Sequence, residues 1–277
     1  MPECEDEVKA NGQARQSMVT TARGALELEF TGERIVPGKT AEVLFRQHEQ
    51  RYVFAGQYVS GKDVVDVACG TGVGTSYLRA VGARSVQGVD IDPDAVAFAQ
   101  ASYANCEFAQ GDAADLCLPD SSTDVVVSFE TLEHLKDQRK FLMECRRVLK
   151  PEGILICSTP NQVLSRWGKT NQYHFHELTT NEFGDLLGSM FSEVKLYGQQ
   201  CRVYPLYVGR KVLLKVLDRV HLTEPVTRLL RPQRVTAIQR TGFSGQPNGL
   251  TGEIRPHQAT LWIQPTFVIG VARNPRR

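Results

Sequence analysis

Residues 64–75 read VVDVACGTGVGT, and residues 86–96 read VQGVDIDPDAV. In the first stretch an apolar β-branched run carries Asp66. Ala68 and the turn glycines Gly70, Gly72 and Gly74 follow, and then a helical pattern begins. This is the layout of a strand that feeds a nucleotide-binding loop, where small residues let the backbone approach a ligand closely. In the second stretch Asp90 ends the next apolar run, sixteen residues past Gly74. A carboxylate at that strand end can take both hydroxyls of a ribose. The two stretches together predict a nucleoside-containing ligand.

The details discriminate between two such ligands. A dinucleotide site asks for G-x-G-x-x-G, with a third glycine packing helix on sheet. Here Thr75 stands in the third place. Asp66, four residues before Gly70, would face a pyrophosphate at an electrostatic cost; it suits a cationic ligand such as the amino acid end of S-adenosylmethionine. Asp112, in FAQGDAADL (108–116), adds an acidic residue after the next apolar run. The ordered set Asp66, Gly70, Gly72, Gly74, Asp90 and Asp112 resembles the S-adenosylmethionine site of class I methyltransferases. A tight strand-to-helix turn with solvated carboxylates is the bland alternative on the same residues.

Apolar runs alternate with helical patterns through the middle of the chain. Strands are predicted at 64–68, 85–89, 106–109, 124–129, 154–158 and 194–197, and helices at 74–80, 93–104, 138–148 and 180–188. Pro93 after Asp92 and Glu182 after Thr179 and Thr180 mark helix starts. Such alternation implies a parallel sheet with helices on both faces, with ligands bound beyond the carboxyl ends of the strands. A last strand over 266–272 would pair antiparallel with 194–197. The expected fold is therefore α/β, a doubly wound, seven-stranded, mostly parallel Rossmann-like sheet, with an insertion before the last strand.

Further segments extend the resemblance over most of residues 30–200. FTGERIVPG (30–38) followed by HEQRYVFA (48–55) looks like the opening segment of bacterial type 11-like methyltransferases found beside glycosyltransferase and O-antigen genes. VVVSFETLEHL (125–135), VLKPEGILICSTPN (148–161) and NQYHFHELTTNEF (171–183) resemble later motifs of the same group. The resemblance implies methyl transfer, S-adenosylmethionine as cofactor, and a glycan or other small-molecule acceptor. It also implies cofactor contacts from Asp66, Ala68, Gly70, Gly72, Gly74, Asp90, Ile91, Asp112, Ala113 and Glu130. The acceptor stays open, because one fold serves many chemistries: oxygen of a sugar first, then nitrogen or carbon of a quinone, polyketide or aminosugar, and last a binding module without catalysis.

Methyl transfer from a sulfonium rests mainly on alignment, and a hydroxyl acceptor also gains from a general base. His134, just past the fourth strand, is a base candidate or a packing histidine. His174 and His176 alternate on an extended segment, so they point to opposite sides and one can face the site. Glu130 either holds a ligand or is a solvated rim carboxylate, and Arg51-Tyr52 are read as closing the cofactor pocket. The six histidines form no familiar metal-ligand spacing with carboxylates, so no metal is expected.

Composition agrees with a globular enzyme: 277 residues, 42% hydrophobic and 23% charged. A net charge of +1 gives no field for nucleic acid. Seven scattered cysteines without a C-x-x-C pair, and a polar start without an apolar signal segment, fit a reducing cytoplasm. No stretch approaches the ~20 apolar residues of a membrane span. Residues 1–25 are expected to be a disordered tail, with 26–199 and 266–277 forming the cofactor-binding domain.

Residues 200–265 exceed an ordinary loop. GRKVLLKVLDRVHL (209–222) predicts an amphipathic helix with Val212, Leu213, Val216, Leu217 and Val220 along one stripe. Residues 225–230 suggest a second helix and 231–258 a flexible loop. The insertion is expected to be an acceptor lid, with a homodimer contact or peripheral membrane contact as alternatives.

Overall fold

The computed structural model describes residues 19–20, 26–27, 34–168, 171–200, 202–219, 254–256 and 263–275. The central sheet takes β1 Asp63–Val67, β2 Ser85–Asp90, β3 Glu107–Gln110, β4 Thr123–Phe129, β5 Leu149–Pro160, β6 Val194–Gln199, β7 Ile254–Pro256 and β8 Phe267–Arg273. Their order is β7-β6-β8-β5-β4-β1-β2-β3. β1 through β5 run parallel to one another, and β8 is antiparallel to both β5 and β6. The seven expected strands are present, each close to its predicted place. The sheet reverses its order between β1 and β4, the position where open α/β sheets bind ligands.

Strand alternation sets the two core layers. Val65, Val126, Leu155 and Val268 point to one face, where Phe141, Leu142, Phe183 and Leu187 cover them. Val64, Val125, Ile156 and Ile269 point to the other, under Tyr52, Phe54, Ala55 and Leu78. The covering helices are α1 Glu42–Gly56, α2 Val73–Ala80, α3 Pro93–Ser102, α4 Gln138–Val148 and α6 Thr180–Gly188, with a short α5 at Gln162–Ser165. Local chemistry fixes their ends. Asp92 accepts the Asp94 amide ahead of Pro93 in α3, and Thr179 with Glu182 forms a capping box on α6. Because Asp66 shares a face with Val64, its side chain enters the layer between sheet, α1 and α2.

The insertion differs from expectation in three ways. Its helix, α7, begins at Tyr204, five residues before the predicted helix, and is described as far as Arg219; the rest of the predicted span lies outside the described residues. Val212 and Leu213 of the predicted stripe are 44% and 57% exposed, and the side chains of Val216, Leu217 and Val220 lie outside the described residues. Ile254–Pro256, read as loop, is an eighth, edge strand pairing antiparallel with β6; three residues are too few to show a period, and a terminal proline is tolerated at an edge. Arg202–Val203 pairs with Ile263–Gln264 at the base of the insertion. The proposed helix at 225–230 lies outside the described residues, as does most of the 1–25 tail; within it Val19–Thr20 pairs with Leu26–Glu27. Cys69, Cys106, Cys145 and Cys157 are free thiols. No helix among the described residues is long and apolar enough to cross a membrane.

Candidate functional site

The site lies beyond the carboxyl ends of β1, β2 and β4. Asp66 is fully buried at the end of β1 and accepts hydrogen bonds from the Thr75 hydroxyl at 2.7 Å and from the Tyr52 hydroxyl at 3.1 and 3.2 Å. Burial pushes its carboxyl up to about 7, against the lowering effect of those bonds, and nearby Asp90 adds to the rise. Its partners are hydroxyls rather than a cation.

The loop after β1 turns sharply. Ala68 sits at φ 58° and Gly72 at φ 77°, so a non-glycine residue at 68 carries left-handed strain of the kind that marks functional turns. A Cβ on Gly72 would lie 2.7 Å from the Phe108 ring, and one on Gly74 would lie 2.0 Å from the Tyr52 ring. Small residues are therefore dictated at both places by close packing. Asp90 accepts the Gly70 amide at 2.7 Å and the Asp92 amide at 3.0 Å. Burial raises its carboxyl, and the two amides oppose the rise. Arg34 pairs with Asp92 beside it, and the Thr71 hydroxyl donates to the Ile35 carbonyl at 2.9 Å. The segment 34–36 thus packs against the glycine loop. Ile91, next to Asp90, is 63% exposed. Asp112 is exposed, accepts the Ala114 amide at 2.8 Å, and is followed by buried Ala113. The structure brings all these predicted residues to one rim.

The second half of the site grows from the end of β4. Glu130, at φ 56°, repeats on β4 the left-handed exit seen at Ala68, and it accepts the Ser158 hydroxyl at 2.7 Å. A single 3-10 turn, Leu132–His134, follows. Glu133 is buried and accepts the Thr159 hydroxyl at 3.0 Å; burial, with Glu130 nearby, pushes its carboxyl well above the usual range. The segment 171–178 docks on this turn. Phe175 donates its amide to the Glu133 carbonyl at 2.8 Å, Gln138 Nε2 bridges the Leu132 and His176 carbonyls at 2.9 and 2.8 Å, and Nδ1 of His134 bonds the Tyr173 carbonyl at 3.2 Å. The His134 and His174 rings then stand edge to face, 4.8 Å between centroids. His174 Nδ1 meets Glu177 at 2.5 Å, and Ser165 also donates to Glu177. His176 is exposed on the opposite side, so the structure unites His134 with His174 and leaves His176 apart.

Sequence reasoning missed Glu133 as a site residue and the burial of Arg51. Glu133 adjoins His134, but only the 3-10 turn aims both at His174. Arg51 has no exposed surface. Its Nη1 donates to Gln199 at 2.7 Å and its guanidinium stacks 4.7 Å from the Phe267 ring, while Nε and Nη2 have no hydrogen-bond partner among the described residues. The charges of Glu130 and Glu133 act on it. The sequence reading of Arg51-Tyr52 as closing the pocket gave no sign that the guanidinium would be fully enclosed between Gln199 and Phe267.

Residues 65–157 match the model of a family described as a methyltransferase domain. A protein of Mycolicibacterium smegmatis described as a probable S-adenosylmethionine-dependent methyltransferase is 41% identical over 61% of this chain and 66% of its own length. The chain therefore spans a little under two thirds of that relative. A fatty-acid O-methyltransferase of the same species is 39% identical over 35% of this chain and 37% of its own. A crystal structure of a SAM-dependent methyltransferase from Thermotoga maritima superposes with a TM-score of 0.56, covering 84% of this chain and 91% of that one at 16% identity. That likeness speaks for the fold alone.

Proposed function

We propose that the chain is a class I S-adenosylmethionine-dependent methyltransferase that methylates an oxygen of a small-molecule acceptor, a reading supported by the matching family model and by the mycolicibacterial relative. The observation that carries this reading is Asp66. It is a fully buried carboxylate whose described partners are hydroxyls, at the mouth of a loop too tightly packed for side chains at 72 and 74. An ammonium group is the natural complement of such a site, and a pyrophosphate is not. The residues present fit S-adenosylmethionine, which when bound supplies a methyl group on a positively charged sulfur. Asp66 would face its ammonium end, with Ala68, Gly70, Gly72 and Gly74 lining the same end. Asp90 would hold the ribose hydroxyls. Exposed Ile91 and buried Ala113 would flank the adenine, and Asp112 would accept from its amine.

The acceptor would enter on the β4 side, past Glu130, where His134 and His174 meet. Two imidazoles beside a buried carboxylate suit a group that must lose a proton, which favours oxygen over an acceptor that needs no base. A sugar hydroxyl is the leading acceptor, supported by the resemblance of segments 30–38, 48–55 and 171–183 to glycan-cluster methyltransferases. A lipid carboxyl is the second reading, favoured by the fatty-acid O-methyltransferase among the relatives and by Leu206 and Leu213 exposed on α7 at 73% and 57%. The test is release of S-adenosylhomocysteine with matched panels of glycosides, fatty acids, and amine or carbon acceptors. Turnover confined to the amine or carbon panel would overturn the oxygen assignment.

A further inference from the structure

Glu133, His134 and His174 each offer one ligand atom, and these atoms lie within 4.8 Å of one another. Each ring is oriented by a protein oxygen at Nδ1: the Glu177 carboxylate for His174, and the Tyr173 carbonyl for His134. Glu177 is itself held by Ser165, and Glu133 by Thr159. A ligating imidazole whose other face is set by a carboxylate or carbonyl is the usual outer arrangement of a metal centre. A packing pair of histidines would not need that second layer. The spacing was invisible in the sequence because 39 residues separate His134 from Tyr173, whose carbonyl it meets. Docking of segment 171–178 on the 3-10 turn closes that gap.

We propose that Glu133, His134 and His174 bind a divalent first-row transition cation at the acceptor end of the site. Two imidazole nitrogens and one carboxylate oxygen favour such a cation over magnesium or calcium, which take oxygen-rich cages. Three protein ligands leave coordination positions for acceptor oxygens. His134 and His174 are half-buried rather than sealed, which keeps that side approachable. An acceptor hydroxyl held there would lose its proton to water and stay on the cation as its conjugate base, poised for methylation. Neither histidine would then serve as a free base. This role rests on the methyl-transfer reading, whereas the cation site itself does not.

The test uses tag-free, full-length protein stripped with a chelator. Co²⁺ uptake is followed by its visible absorption, and Mn²⁺ uptake by electron paramagnetic resonance. One cation per chain is expected. His134→Gln, His174→Gln and Glu133→Gln should abolish uptake. Glu177→Gln, which removes only the orienting carboxylate, should weaken it about 10–100-fold, and His176→Gln should leave it unchanged. Calorimetry with S-adenosylhomocysteine on each variant reports whether the fold survives. No uptake of either ion by protein that still binds S-adenosylhomocysteine would overturn the site. So would uptake undiminished in the His134 and His174 variants. Cation uptake without S-adenosylhomocysteine binding would keep the site and sink the methyl-transfer reading instead.

Discussion

Asp66 holds a proton near neutrality because burial outweighs its hydroxyl partners, with its carboxyl pushed up to about 7. An unfolded aspartate titrates near ~3.9. Between those values the folded ligand-free protein binds more protons than the unfolded chain, so this group makes stability fall as pH rises from about 4 to about 7. Asp66→Asn should flatten that part of the stability curve, which urea melts at successive pH values would follow. A cationic ligand reverses the preference and favours the carboxylate. Cofactor binding near pH 6.5 should therefore release a proton and tighten as pH rises to 7. Calorimetry in two buffers of different ionisation enthalpy checks this, and equal heats would contradict it. Gly74 offers a second residue-level test. Gly74→Ala drives a methyl group into the Tyr52 ring, and overpacking of this kind costs about 1–3 kcal/mol, together with weaker cofactor binding. Arg51 is the third. Arg51→Ala would strip Gln199 of its charged donor and Phe267 of the stacked guanidinium, and loss of a hydrogen bond to a charged group costs about 1.5–3 kcal/mol; thermal melts would report it.

At the scale of elements, the segment 171–178 governs the histidine pair. It is held by the Phe175 amide and by the two bonds from Gln138. Gln138→Ala should cost about 1 kcal/mol for hydrogen bonds of this kind. It should lower turnover while leaving S-adenosylhomocysteine affinity unchanged, because the glycine loop lies on other strands. Stopped-turnover assays and calorimetry separate the two effects. α7 carries exposed Leu206, Val212 and Leu213. If it is an acceptor lid, Leu206→Glu with Leu213→Glu should cut turnover and spare cofactor binding. Unchanged turnover with loss of a dimer in light scattering would make it a subunit contact. The motif N-x-x-H-x-x-E could be read in the sequence as a family mark, yet its physical meaning could not. Asn171 accepts the Tyr173 amide, His174 pairs with Glu177, and Thr179 caps α6. Those are contacts between residues close in sequence, while the partner they serve, Glu133-His134, comes from another element.

For the molecule as a whole, the sheet polarity was legible because valine runs alternate with capped helices and because carboxylates follow strand ends. The gathering of the proposed cofactor residues on one rim was legible for the same reason: each sits at a fixed offset from a strand. Arg51, Glu133 and the edge strand Ile254–Pro256 were not, since each depends on packing between distant segments and none leaves a periodic trace. The account stands on the claim that this rim receives S-adenosylmethionine. Calorimetry with S-adenosylmethionine, S-adenosylhomocysteine and NAD, on the parent protein and on Asp90→Ala, tests it most directly. The account predicts one site per chain for the first two ligands, weakened by roughly 1.5–3 kcal/mol in Asp90→Ala as two hydrogen bonds to a charged acceptor are lost. Tight binding of NAD with no response to either sulfur ligand would contradict it.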